Sequence, residues 1–460
     1  MSVMTRFVAL KITTARLSNT AAINRESSLY QKLASSQTSS KVTLSSECFN
    51  KLLDSFQISG PNGVHTAFVF EPLGPHLETA LLFTPEFSHG ETLDKDDKLW
   101  KYMPENRRFP KNLGKRILRN VLHGLQYFHA HGVVHGDLHQ GNILVTIRDL
   151  VCTADKIREV QQRPEDGKAL KRRDGKLDLW APPYQLGPAG LLQYSSTELD
   201  PYVKITDIGG AFLVDEPPPG EIVTPSENRA PEIHLGLSSF LGPGIDIWSF
   251  GCLAFWIITG HYLFLPGQLV GSEEAVKDIN LIQFSEVIGS LPETMFRAWE
   301  RGESYFTQDR ATRRSEMLAD GEDGTWDFLE TDDYDEIDGH SENRAEEDEE
   351  GSRRMCTRRD NVDLEEADDH KDDAGSDMSY SWLSGSIATD EEVPLISMAP
   401  CRSLEERFAD KKPPDVGEVE AQEIVHLLRW IFQYDTATRP TAEEILNHSW
   451  FQTEGQDVAL

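Results

Sequence analysis

Cysteine is scarce in this chain, and basic residues are heavily outnumbered. Five cysteines (Cys48, Cys152, Cys252, Cys356, Cys401) are scattered over 460 residues, with no C-x-x-C pair and an odd total. That speaks against a disulfide framework or a thiolate zinc site and points to a reducing compartment, cytoplasmic and/or nuclear. The N-terminus has no basic start followed by a long apolar run, so no signal peptide is expected. Lys and Arg number 45 against 77 Asp and Glu, a formal net charge of −32. Such a surface repels phosphate backbones, so direct nucleic-acid binding is not expected and basic peptides are the natural partners. Long apolar runs are also missing, with one exception at Ile245 to Leu265. That run contains Asp246, Gly251, Gly260 and His261 and has no Lys or Arg flank, which reads as a buried core helix and not as a membrane span.

What is there is unevenly distributed. Between Gly321 and Tyr380 there are 24 acidic and 6 basic residues. The wider stretch 302–400 is poor in apolar side chains, cannot bury enough surface to offset chain entropy, and is expected to be a disordered acidic insertion. Residues 148–200 mix charge with Pro and Gly and read as a second insertion. No internal repeat is found. The remaining residues suit one domain of about 300 residues. Phe7–Ile12 and Thr66–Leu73 read as strands and Asn24–Leu33 as a helix between them. Lys111–His131 is strongly amphipathic; Val133-Val134 and Ile143–Val145 are short β runs on either side of a glycine-containing loop. Tyr202–Thr206 returns to strand, Asp246–Thr259 and Ala421–Tyr434 read as helices, and Thr441-Ala-Glu-Glu444 has the form of a helix start with a carboxylate three residues on.

The loop between the two short β runs is His135-Gly-Asp-Leu-His-Gln-Gly-Asn142. Its spacing sets the Asp137 carboxylate beside the Asn142 amide. A carboxylate there can take a proton from an attacking hydroxyl, and an amide oxygen can bind a hard cation. Asp207 lies where a strand runs into Gly209-Gly210. Alone it is most simply a turn residue, but with Asn142 it makes an oxygen pair suited to Mg²⁺ carrying a nucleotide phosphate. Lys11 follows three apolar residues, and Glu26 lies fifteen positions on in the expected helix. A solvated edge lysine is the bland reading; an inward lysine held by a glutamate and gripping phosphate oxygens is the functional one.

Taken together, these residues resemble the protein-kinase signature. Val8–Lys11 resembles the lysine strand and Glu26 its helix partner; His135–Asn142 resembles the catalytic loop and Asp207-Ile-Gly209 the metal-binding triplet. Ala230-Pro-Glu232, Asp246–Gly251 and Arg439 resemble the end of the activation segment, the central helix and the arginine that pairs with Glu232. The resemblance implies an α+β, two-lobed fold, with a small N-lobe and a mostly helical C-lobe. It implies transfer of the ATP γ-phosphate to Ser or Thr with Mg²⁺ as cofactor. Asp137 and His139 are then catalytic; Lys11, Glu26, Asn142 and Asp207 serve the nucleotide, with Asn142 and Asp207 on the metal. Phe70 backs the adenine pocket, and Glu71 to Leu73 form the hinge. The implied division is a partial N-lobe and hinge over residues 1–73, a C-lobe over 74–301 and 401–455, and a tail from 456 to 460. Within kinases the chain is most similar to the SR-protein kinases, which phosphorylate Arg/Ser-rich splicing factors. The similarity rests on Phe68–Leu77, Lys204–Ala211, Thr259–Pro266 and Asp278–Ile282, and on an insertion between Asn142 and Asp207. Basic Arg/Ser-rich substrates and a monomeric state are expected to follow.

Four departures stand beside the resemblance. No G-x-G-x-x-G precedes Lys11, so either the chain is an incomplete product or ATP is held without that lid. Gly136 takes the place of an arginine that contacts an activation-loop phosphate, which suggests activity independent of such phosphorylation. His139 takes the place of a lysine, and a neutral imidazole stabilises less charge. Thr224 lies one residue further from Glu232 than in the usual pattern. An inactive pseudokinase or scaffold, and a small-molecule kinase of the aminoglycoside or choline type, therefore remain as alternatives.

Overall fold

Ala9 to Ile12 alternates small or charged with branched apolar side chains and forms β1 (Ala9–Ile12) in the computed structural model. The structure describes residues 7–18, 20–35, 44–60, 63–83, 107–148, 168–169, 184–185, 191–216, 218, 222–264, 272–315 and 400–452. Helix α1 (Ala21–Ser35) follows and turns Leu29, Tyr30 and Leu33 inward, the stripe expected from the sequence. After α2 (Leu44–Glu47) come β2 (Leu52–Gly60) and β3 (Gly63–Phe70), and the three strands pair antiparallel in the order β1-β3-β2. Lys11 lies opposite Phe68, which fixes its side chain over the face that α1 covers. Strand β2 was not expected. Asp54, Ser55 and Gln57 interrupt its apolar pattern, and nearly all of it is exposed because it pairs with β3 alone.

The larger helical body begins with α3 (Leu77–Phe83) and α4 (Lys111–Ala130), whose apolar face is buried over eleven residues. Next in chain order are β4 (Val133–Val134), β5 (Ile143–Val145), β6 (Lys168–Ala169), β7 (Tyr184–Gln185), β8 (Val203–Ile205) and β9 (Phe212–Leu213). They form two-stranded antiparallel pairs β4-β9, β5-β8 and β6-β7. Helices α5 (Pro231–His234), α6 (Pro243–Thr259), α7 (Glu273–Val287), α8 (Glu293–Ala298) and α9 (Gly302–Tyr305) complete the first part of the body. Helix α6 is the apolar run noted above. Every residue from Ile245 to Thr259 is buried, so it needs no polar face. No helix among the described residues is long and apolar enough to cross a membrane.

The chain continues with α10 (Leu404–Lys411), α11 (Glu418–Ile431), α12 (Ala442–Leu446) and α13 (Ser449–Gln452). At α12 the expected capping box is present: the Thr441 hydroxyl accepts from Glu444 N–H and the Glu444 carboxylate accepts from Thr441 N–H.

One expected boundary moves. The packed body does not stop at Arg301, because Tyr305 is fully buried and donates its hydroxyl to Asp278 Oδ2 at 2.7 Å. Further on, Arg313 reaches Glu286 Oε1 at 3.1 Å, while the other oxygen of Glu286 accepts the Cys401 N–H at 2.8 Å. The segments on either side of the acidic stretch thus meet on one partly buried carboxylate, Glu286. The expectation of disorder over the rest of that stretch, and most of the 148–200 insertion, lie outside the described residues.

Candidate active site

Strand pairing builds the site. Because β4 pairs with β9 and β5 with β8, the loop His135–Asn142 and the loop Thr206–Ala211 run side by side. Asp246, in the first turn of α6, accepts both His135 N–H (2.8 Å) and Gly136 N–H (2.9 Å) on its two carboxylate oxygens. His135 in turn accepts from Asp137 N–H at Nδ1 (3.2 Å), which leaves Nε2 to donate to Thr206 O at 3.1 Å. Gly136 has φ +71, and a Cβ there would stand 2.8 Å from Gly210 O. The missing arginine is therefore excluded sterically as well as by identity.

Within the loop, Asn142 Nδ2 donates to the Asp137 carbonyl (2.9 Å) and to Asp137 Oδ2 (3.0 Å). The amide oxygen of Asn142 is left for another role. The other Asp137 oxygen, Oδ1, is buried and accepts no hydrogen bond. A buried carboxylate oxygen without a donor is costly unless a ligand group completes it. His139 caps the short turn Gln140–Asn142 and accepts Gly141 N–H at Nδ1 (3.1 Å). Its other ring nitrogen, Nε2, lies 3.7 Å from Asp137 Oδ2.

Across from this group Lys11 Nζ sits between two carboxylates, 3.0 Å from Glu26 and 2.8 Å from Asp207. Glu26 is buried at 3% exposure. Burial pushes the Lys11 ammonium toward neutrality, but Asp207 and Glu26 together overcome it and hold the pKa above its ordinary value. Burial likewise works against the charged form of Asp207, and the Lys11 charge and the Gly209 N–H reverse the balance, so its pKa is lowered. Asp207 has φ +56, a left-handed backbone that is uncommon outside glycine and typical of functional turns. The two groups share a wall, since Thr206, the residue before Asp207, donates N–H to Asn142 O at 2.8 Å.

Of the remaining expected residues, Phe70 and Leu73 are buried, and Phe70 packs on the Tyr30 ring of α1 with centroids 5.4 Å apart. Glu71 turns its carboxylate to Lys204 Nζ at 2.5 Å. Lys204 was not singled out from the sequence, although a lysine inside the buried run Val203-Lys-Ile205 is a signal that a partner must exist. Thr224, despite its altered spacing, is buried and donates its hydroxyl to Gly136 O at 2.6 Å. Glu232 and Arg439 form a bidentate pair at 2.5 and 2.8 Å with both side chains fully buried.

The donor set suits a hard cation. Among the described residues no group of three or more His, Cys, Asp or Glu is placed to hold a metal on its own. Mg²⁺ asks for less, one or two protein oxygens with phosphate and water completing its shell, and Asp207 and the Asn142 amide oxygen are the groups that could hold it. The Asp137 carboxylate, whose side chain is partly exposed, can accept from a hydroxyl donor in the same cleft.

Comparison with known proteins gives the same direction. The model of the family described as "Protein kinase domain" matches residues 7–156 and 191–451. The chain is 28% identical over 313 residues to serine/threonine-protein kinase SRPK of Physarum polycephalum, a match covering 65% of each protein. It is 23% identical over 344 residues to protein kinase dsk1 of Schizosaccharomyces pombe, covering 58% of this chain and 59% of that protein. Serine/threonine-protein kinase SKY1 of Saccharomyces cerevisiae is 29% identical over 166 residues, 36% of this chain and 20% of the relative. The chain thus spans just under two thirds of the Physarum protein and less of the other two.

Proposed function

Because the chain belongs to the protein kinase domain family, we propose that it transfers the γ-phosphate of ATP to Ser or Thr of basic, Arg/Ser-rich proteins. The observation that carries the reading is the convergence of two charged groups on one cleft, Lys11 with Glu26 and Asp207 on one side and Asp137 with Asn142 on the other. Lys11, fixed by Glu26, grips phosphate oxygens; Asp207 and Asn142 hold Mg²⁺. Bound Mg²⁺–ATP supplies the transferable phosphoryl group and neutralises charge on its oxygens. Asp137 accepts the hydrogen bond of the substrate hydroxyl on its carboxylate and takes its proton, while Asn142 keeps that carboxylate oriented through Oδ2. His139 Nε2 lies 3.7 Å from Asp137 Oδ2, at the same edge of the loop. The hinge, with Glu71 tied to Lys204, holds the adenine beside the buried Phe70.

The substrate class is supported by charge. A chain of net charge −32 attracts Arg-rich peptides at long range and repels acidic ones. The test is incubation of the full chain with Mg²⁺ and γ-labelled ATP and three acceptors in turn: an Arg/Ser repeat peptide, an acidic Ser peptide and an aminoglycoside. Label on the Arg/Ser peptide alone is the expected result. Transfer to the aminoglycoside instead, or ATP binding with no transfer, overturns the reading.

A further inference from the structure

The loop His135–Asn142 is held from outside at both ends, by Asp246 on His135 and Gly136 and by the Thr206–Asn142 backbone bond. Between those ends the turn His139–Asn142 lies against α3, and its hydrogen bonds are mostly internal. His139 Nδ1 accepts Gly141 N–H, and Asn142 Nδ2 bonds Asp137. Among the described residues, one side-chain hydrogen bond joins residues 139–141 to another element: Gln140 Nε2 donates to Tyr262 Oη at 2.8 Å. Gln140 is 8% exposed, so its amide cannot fall back on water if the tyrosine hydroxyl is removed. Tyr262 is itself well placed as an anchor. It follows Gly260, whose left-handed backbone (φ +81) ends α6, the most deeply buried helix of the body.

We propose that Gln140 is a positioning residue that, through Tyr262, pins the His139–Asn142 turn to the end of α6 and so sets Asn142 and His139 against Asp137. The inference rests on the phosphotransfer reading only for its effect on rate. Packing on α3 sets the depth of the turn but not its rotation, which a directional hydrogen bond fixes, and misplacement of reacting groups lowers turnover far more than it lowers ligand affinity. The bland alternative is a buried amide that needs a partner for stability and nothing more. It predicts a change in melting temperature without a change in the kinetics of the folded chain.

The test uses the full chain as wild type, Gln140→Ala, Tyr262→Phe and the double variant. Amide hydrogen exchange is followed in the peptide covering 137–144 and in one covering 246–258. Either single variant is expected to speed exchange in the first peptide by about ten-fold and leave the second unchanged, with the double variant no faster than the singles. With an Arg/Ser peptide, kcat is expected to fall by about 3- to 10-fold at an unchanged KM for ATP. Unchanged exchange at 137–144, or equal acceleration in both peptides, overturns the tether; a kcat equal to wild type overturns its role in transfer. If the wild type transfers no phosphate, the proposed activity fails and the exchange result still decides the tether.

Discussion

Replacing Arg439 with Met strips the buried Glu232 carboxylate of its counter-ion while keeping a side chain of similar length. The guanidinium makes four bonds in the structure. Two go to Glu232 at 2.5 and 2.8 Å, one to Gly244 O at 2.9 Å and one to Gln433 O at 2.6 Å. Both side chains of the pair are fully buried, so no solvent is at hand to take over. Removing one partner of such a pair costs about 3–5 kcal/mol, because the other is left as an uncompensated charge or must bind a proton. The two carbonyls that lose their donor add to this, in part offset by retained packing on Trp248, whose ring lies 5.1 Å from the guanidinium carbon. The expected result of urea unfolding is a midpoint lowered by an amount equivalent to about 3–5 kcal/mol at unchanged slope. The exposed pair Arg297–Glu293, with side chains 76% and 59% accessible, serves as the control. There Arg297→Ala is expected to cost no more than about 0.5 kcal/mol. A loss below about 1 kcal/mol for Arg439→Met would refute the reasoning that Glu232 is left as an uncompensated buried charge.

Three further outcomes are expected. Asp137→Ala lowers transfer to an Arg/Ser peptide by about 10²–10⁴-fold with nucleotide affinity largely retained, as read by turnover and by titration with a fluorescent ATP analogue; equal turnover removes Asp137 from the chemistry. Lys11→Met leaves Glu26 and Asp207 facing each other without a cation and weakens productive ATP binding, so an unchanged turnover takes Lys11 out of the site. His234 is buried, and burial with the nearby Arg229 charge lowers its pKa to about 3. The unfolded chain then binds this proton first, so stability present above pH 6.5 is lost on acidification toward pH 3, at up to about 1.4 kcal/mol per pH unit. Guanidinium unfolding at pH 7 and pH 5 should show a smaller difference for His234→Gln than for wild type, and an identical difference would exclude His234 as the source.

Elements that carry their own pattern were legible in the sequence. Helix α4 has an apolar stripe over five turns, and α6 is apolar on every side because it is wrapped on every side, so length and composition sufficed for both. Strand β2 lacked any such mark. It is a half-solvated ribbon in which Asp54, Ser55 and Gln57 are tolerated because one neighbour, β3, supplies all its strand pairing. The segment from Gly302 to Arg313 reads in the sequence as part of the acidic stretch, because apolar residues are few across that window. Its order comes from single residues placed well: Tyr305 on Asp278 and Arg313 on Glu286. No average over a window reports those.

The site divides along the same line. Asp137, His139 and Asn142 lie within six positions, and their mutual geometry follows from one short turn, so local spacing was enough to bring them out. Lys11 and Glu26 are paired by their spacing and Asp207 by its glycine turn, but nothing local joins Asp207 to Lys11; the structure brings Lys11 within 3.0 Å of both carboxylates. The contacts the sequence hid are those in which an ordinary residue gains a role from a distant partner. Glu71 meets Lys204 across 133 positions, and Gln140 meets Tyr262 across 122. Lys204 alone left a trace, as a charge inside a buried three-residue strand, where desolvation makes an unpaired ammonium untenable. Gln140 left none, because an amide beside a glycine is unremarkable anywhere in a loop. Its meaning depends on where α6 ends, and that is set by Gly260, more than a hundred residues away.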